Sequence, residues 1–126
     1  MQKREQGECE ATPQFSLVLC TINRKIEVDK FLESLAKQSF KKFEVIIVDQ
    51  NNDGLLDSTI TKWQNLLRIE HIKVDFRGLS KARNFGMKHT KGGLIAFPDD
   101  DCEYQPSTLE KTESFLRQNP TASIVI

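Results

Sequence analysis

The strongest constraint on this chain is an alternation. From Phe15 onward, short β-rich apolar runs take turns with stretches whose apolar residues recur at helical spacing. FSLVLC (15–20) reads as a buried strand, being continuous, short and bounded by polar residues. Val28, Phe31, Leu32 and Leu35 then fall at i, i+3, i+4 and i+7, one face of an amphipathic helix. FEVIIV (43–48) is the clearest strand, and the polar DQNNDG follows it, with Gly54 able to turn at little steric cost. Ile60, Trp63 and Leu67 mark a second helix, after which Ile72, Val74 and Phe76 of HIKVDF alternate like a strand with one buried face.

A third helix is predicted over Ser80 to His89, stopped by Gly92 and Gly93, and LIAF (94–97) is a fourth strand. A fourth helix is predicted from about Thr108 to Gln118. Ser107 and Glu110 stand at capping-box spacing before it, and Pro120 closes it. SIVI, at the end of the chain, reads as a fifth strand cut short at Ile126. Alternation of this kind predicts an α/β fold, a mainly parallel sheet with helices on both faces. Ligands of such sheets bind at the carboxyl ends of strands, near a switch in strand order. Two polar segments sit at such ends: DQNNDG after the second strand and PDDD after the fourth.

Composition narrows the function classes. At 126 residues there is room for one domain with a real core, and no apolar run approaches the ~20 residues that span a bilayer. Residues 1–14, MQKREQGECEATPQ, are polar and lack the apolar core of a signal peptide; they are expected to be a loose leader before a domain over 15–126, and the compartment is expected to be cytoplasmic. Basic and acidic residues balance at 18 each, so no cationic footprint for nucleic acid is present. Cys9, Cys20 and Cys102 form no CxxC, and His71 and His89 lie too far apart for a local zinc signature.

Phosphate-binding glycine loops are absent too: there is neither a P-loop nor a GxGxxG after the first strand. A chain without them that binds phosphates needs another source of positive charge. The run Asp99, Asp100, Asp101 suggests a carboxylate-held divalent cation, which offsets the mutual repulsion of the acids. If the chain stays extended past the strand, Asp99 and Asp101 face the same way and Asp100 points elsewhere. A solvated acidic turn is the plainer reading of the same three residues.

The segments SLVLCTINR, FEVIIVDQNNDG and GLSKARNFGMKHTKGGLIAFPDDD occur in the order and spacing of a known family. Together they resemble the nucleotide-sugar-binding half of family 2 glycosyltransferases, whose Rossmann-like fold is called GT-A. The resemblance implies that Thr21, Asn23 and Arg24 lie beside the nucleobase, that Asp49 accepts a hydrogen bond from the base, and that Arg83 lies near the nucleotide. It also implies Asp99 near ribose or metal, Asp100 in the variable middle place of a D-x-D, and Asp101 as the direct ligand of Mn2+ or Mg2+. Plainer readings stand beside these: a strand-to-helix turn for Thr21 and Asn23, a backbone-bonding turn for Asp49, a surface charge for Arg83. Cys20 replaces the family's usual proline, Ile22 its aromatic, Gln50 its frequent second acid, and Cys102 another acid.

The activity so implied is metal-dependent, inverting transfer of a sugar from a nucleoside diphosphate, UDP favoured, to a hydroxyl of a saccharide or lipid-linked acceptor, in the cytoplasm or at the cytoplasmic membrane face. The general base is expected beyond Ile126, which makes the domain incomplete and gives its sheet an edge open to self-association. Two rival classes share these features: a non-catalytic module binding a nucleotide sugar or metal, and a receiver-like signalling domain with Asp49 as phosphoacceptor.

Overall fold

The structure is a computed structural model and describes residues 13–119. The leader, except Pro13 and Gln14, and the fifth strand expected at 123–126 lie outside the described residues. Four strands and four helices alternate: β1 (Phe15–Thr21), α1 (Ile26–Ala36), β2 (Phe43–Asp49), α2 (Asp57–Trp63), β3 (Ile69–Lys73), α3 (Leu79–Met87), β4 (Leu94–Ala96) and α4 (Thr108–Gln118). All strand pairs are parallel, and the sheet order is β3-β2-β1-β4. The chain steps outward from β1 to β3, then crosses back to lay β4 on the other side of β1. That reversal places a switch point between β1 and β4, where a crevice must open above the strand ends.

Side chains alternate across the sheet with period two. Phe15, Leu17, Leu19, Phe43, Val45 and Ile47 face one way and pack with Val28, Phe31, Leu32 and Leu35 of α1, Ile60 of α2 and Leu109 of α4. Val18, Cys20, Ile46 and Val48 face the other way, against Ala82 and Phe85 of α3. Every residue of β1 and β2 is buried, because both faces are covered. The continuous apolar run of FEVIIV thus has its cause in position: a central parallel strand has no solvent face.

Close approach explains two glycines. A Cβ on Gly86 would stand 2.5 Å from Val18 Cγ1, so α3 lies against the sheet at a distance only glycine permits. A Cβ on Gly92 would stand 2.8 Å from the Phe15 carbonyl carbon, where the chain enters β4 beside β1. The Gly92 N–H donates to Ser16 Oγ at 2.8 Å, and that hydroxyl donates to the buried Glu44 carboxylate at 2.6 Å.

Several local expectations need correction. Ser107 makes no side-chain capping bond; Glu110 instead accepts from the Ser39 hydroxyl, so a tertiary contact takes the acid from the local box. Helix α2 ends at Trp63, and Leu67 is buried from the loop beyond it. Strand β3 ends at Lys73, yet Ile72, Val74 and Phe76 do share one packing cluster, so their alternation was a true sign of a common face. After β4 the chain does not stay extended. It turns at Asp100–Asp101, with the Cys102 N–H reaching back to the Asp99 carbonyl at 3.4 Å, and the alternation argument for Asp99 and Asp101 fails there.

Candidate functional site

Above the ends of β1 and β4 lies a cleft of about 480 Å³. Its walls come from the β1–α1 turn (Ile22, Asn23, Arg24), from Gln50 after β2, from Arg77 to Leu79 at the start of α3, from Arg83, and from Pro98 to Asp100 after β4. The two sides of the switch point are joined across the crevice. Thr21 Oγ1 donates to Asp100 Oδ2 at 2.9 Å, and Arg24 Nε stands 3.4 Å from Asp100 Oδ1. On the α3 side, Arg83 Nη2 lies 4.0 Å from Asp99 Oδ1 and its guanidinium sits over the Phe97 ring at 5.4 Å.

The predicted residues therefore separate into three groups. Asn23, Arg24, Arg83, Asp99 and Asp100 meet at the cleft. Thr21 and Asp49 are buried beneath it, at 1% and 0% exposure. Asp101 is exposed and outside the cleft wall. Of the three acids, Asp100 is the most tightly held, with its side chain 19% exposed against 78% for Asp99. Strand alternation points Asp100 away from Asp99 and Asp101, because the turn that swings it toward Thr21 leaves no mark on strand periodicity.

Asp49 is held from both sides. Its Oδ1 accepts the backbone N–H of Asn51 at 2.9 Å and the Asn51 side-chain N–H at 2.7 Å, while Oδ2 lies 2.8 Å from His71 Nε2. The short backbone loop is the turn that Asp readily forms with the residue two further on. Register explains the histidine: His71 pairs with Ile47 and so projects from the same face as Asp49, two residues along. A receiver-like phosphoacceptor must meet solvent, and a carboxylate this buried and this engaged does not suit that role.

Arg77 and Gln50 line the cleft, and Asn51 and His71 stand behind it on Asp49; the sequence assigns none of the four to the site. Gln50 Oε1 accepts the Gly78 N–H at 2.9 Å, which fixes the start of α3 against β2. Gly78 has φ of 138°, a region that favours glycine. The signal for Gln50 was present in its place directly after Asp49; nothing in the sequence linked His71 to Asp49 without the strand register.

Charge and burial set the remaining chemistry. Burial pushes the Cys20 thiol up to about 11; Arg83 opposes the shift and Asp100 adds to it. Burial also raises the Tyr104 hydroxyl, with Cys102 and Asp99 contributing, and that oxygen has no hydrogen-bond partner. Carboxylate oxygens suit a hard divalent cation. Among the described residues, no three His, Cys, Asp or Glu side chains are grouped to hold one unaided.

The four-stranded parallel sheet of this order is a Rossmann-like α/β fold that matches structures of the GT-A class. The family model for glycosyl transferase family 2 matches residues 16–126, and the chain belongs to that family. An uncharacterized glycosyltransferase of Haemophilus influenzae is 32% identical over 111 residues, covering 87% of this chain and 37% of its own. The poly(ribitol-phosphate) beta-N-acetylglucosaminyltransferase TarS of Staphylococcus aureus is 28% identical over 117 residues, covering 90% of this chain and 20% of its own. The crystal structure of TarS 1–349 in complex with UDP superposes with a TM-score of 0.77 and 31% identity, over 83% of this chain and 32% of that one. The chain thus spans between 20% and 37% of the length of these relatives. No helix among the described residues is long and apolar enough to cross a membrane.

Proposed function

We propose that this chain forms the donor side of an inverting, metal-dependent glycosyltransferase acting on a UDP-sugar. The observation that carries the reading is the switch-point cleft, where Arg24, Arg77 and Arg83 meet Asp99 and Asp100. Three guanidiniums around one crevice suit a diphosphate, since their planar forks match phosphate oxygens. Preference for UDP rests on TarS, a relative whose structure contains UDP.

Thr21, Asn23 and Arg24 are assigned to the nucleoside side of the cleft, and Asp100 to the ribose, held ready by Thr21 and Arg24. Asp49, which the family resemblance ties to the base, is 0% exposed and does not line the cleft, so we assign it to supporting the nucleoside side from beneath, through its bonds to Asn51. Arg83 faces the diphosphate. Asp99 and Asp101 are the carboxylates that would hold Mn2+ or Mg2+, with diphosphate oxygens and water as the other ligands. The cation, when bound, stabilises charge on the departing diphosphate as a Lewis acid.

In the reaction an acceptor hydroxyl attacks the anomeric carbon, the bond to the diphosphate breaks, and the hydroxyl proton passes to a carboxylate base. We assign that base outside the described residues, with acceptors that are saccharides or lipid-linked saccharides, and place the reaction in the cytoplasm or at the cytoplasmic membrane face. Among the described residues β4 lies at a sheet edge, and we propose self-association through the open edge of the sheet, measured as a concentration-dependent mass by light scattering.

The test is a calorimetric screen with UDP-, GDP- and dTDP-sugars, each with and without manganese. Binding of a UDP-sugar, strengthened by manganese, is expected. If no donor binds under any condition, the donor-site reading is wrong. Turnover by a longer chain that also carries the proposed base separates an enzyme from a module that only binds, since these 126 residues alone are expected to bind without turnover.

A further inference from the structure

Four residues from three elements form one hydrogen-bonded chain that ends at the cleft wall. His71 Nε2 on β3 contacts Asp49 Oδ2 at 2.8 Å; Asp49 Oδ1 accepts from Asn51 Nδ2 at 2.7 Å; Asn51 Oδ1 accepts the Asn23 backbone N–H at 2.8 Å. Asn23 is the one non-glycine residue with positive φ among those described, at 60°. Such a conformation is tolerated by asparagine but persists only when its surroundings hold it.

Each link fixes the next. An Asn51 amide has an oxygen end and an NH2 end. Because its NH2 is bound to Asp49, its oxygen faces Asn23; reversed, the amide would set donor against donor. Asp49 performs that role only if its carboxylate plane is fixed, and the partner on its second oxygen is His71. An acceptor oxygen requires the proton on Nε2. Water does not replace that donor easily, since the Asp49 side chain is 1% exposed and His71 15%.

From this we infer that His71 is a positioning residue of the donor cleft, acting through Asp49 and Asn51 to hold the Asn23 turn. The effect on affinity rests on the donor reading above; the effect on the turn does not. Neither His71 nor Asn51 lines the cleft, so His71 acts through the chain and not by touching the donor.

The test compares His71→Leu, which removes the donor, with His71→Gln, which keeps an N–H. Amide hydrogen exchange is read at Asn23 and Asn51 by NMR, with the core-strand residue Ile46 as the control for global opening. UDP affinity is read by calorimetry. In His71→Leu, exchange at Asn23 and Asn51 should rise about tenfold with Ile46 unchanged, and UDP should bind about tenfold more weakly, the scale of one hydrogen bond to a charged group. His71→Gln should recover most of both. Asn51→Ala, which cuts the chain beyond the histidine, should release Asn23 to a similar extent. Unchanged exchange at Asn23 in His71→Leu overturns the inference, as does a glutamine variant no better than the leucine one. A wild-type chain that binds no nucleotide sinks the donor reading instead, and the exchange data still decide whether His71 holds the turn.

Discussion

The Thr21 hydroxyl at the end of β1 donates a 2.9 Å hydrogen bond to Asp100 Oδ2 in the turn after β4, joining residues 79 apart in sequence. The bond spans the switch point, so it sets how far the crevice opens and which way Asp100 faces. Replacing Thr21 by Val keeps the shape and removes the donor. Thr21 is 1% exposed, and the lost bond is charge-assisted, worth about 1.5–3 kcal/mol. Thr21→Val should weaken UDP binding by about tenfold and lower the melting temperature by roughly 5–15 °C, the low end applying where Arg24 still pairs with Asp100. Calorimetry and a thermal melt on one preparation check both. Unchanged affinity would remove Asp100 from the donor site.

The triplet Asp99, Asp100 and Asp101 divides by exposure, and this leads to a contrast between variants. Asp99 borders the cleft beside Arg83, whereas Asp101 stands outside its wall. If both hold the cation, Asp99→Asn and Asp101→Asn should each abolish the gain in UDP affinity that manganese confers, and leave metal-free binding within about twofold, as expected for exposed groups. A manganese titration at fixed UDP measures this. A loss confined to Asp99→Asn would assign the metal to Asp99 and leave Asp101 a solvated turn residue.

Much of the fold was legible in the sequence because its signals are local. Val28, Phe31, Leu32 and Leu35 recur at helical spacing, and all four are at 0% exposure. FEVIIV could be recognised as a central strand because both faces of β2 are covered. The limits of α4 followed from its pattern, though its capping box did not form, since Glu110 found a partner on Ser39, 71 positions away. The site was harder to read for the same reason. Its clusters announce themselves as DQNNDG and PDDD, but which acid faces the cleft is set by a turn, and the tie from His71 to Asp49 exists only through parallel register. Properties of one segment were visible; properties of pairs of segments were not.

Gly86 offers a test of how closely α3 must lie on the sheet. Alanine in a helix interior gains about 1 kcal/mol over glycine in intrinsic propensity. Against this, a Cβ would meet Val18 Cγ1 at 2.5 Å and Val48 Cγ2 at 3.1 Å. Both valines are buried and stiff at χ1, so neither yields easily, and overpacking of this kind costs about 1–3 kcal/mol. The clash should win. Gly86→Ala is expected to lower the urea midpoint, and Val18→Ala in the same chain should recover part of the loss. A more stable Gly86→Ala would mean that α3 shifts outward freely.

Cys20 predicts how stability responds to alkali. Its thiol rises from an ordinary 9.0 to about 11 in the folded chain, chiefly because ionisation would bury a charge against the sheet. Between those values the unfolded chain gives up the proton and the folded chain keeps it. The unfolded state then binds fewer protons, so the contribution of Cys20 to stability is whole below pH 9 and declines as pH climbs toward 11. Other groups titrate there, so the informative quantity is a difference: the urea midpoint of wild type should fall more steeply over that window than the midpoint of Cys20→Ala. The same burial makes the thiolate scarce. At pH 8 iodoacetamide should label Cys20 slowly in the folded chain and rapidly in urea, as peptide mass spectrometry would show. Rapid labelling of the folded chain at pH 8, or parallel slopes for the two proteins, would mean that Cys20, which lines the cleft, meets water there.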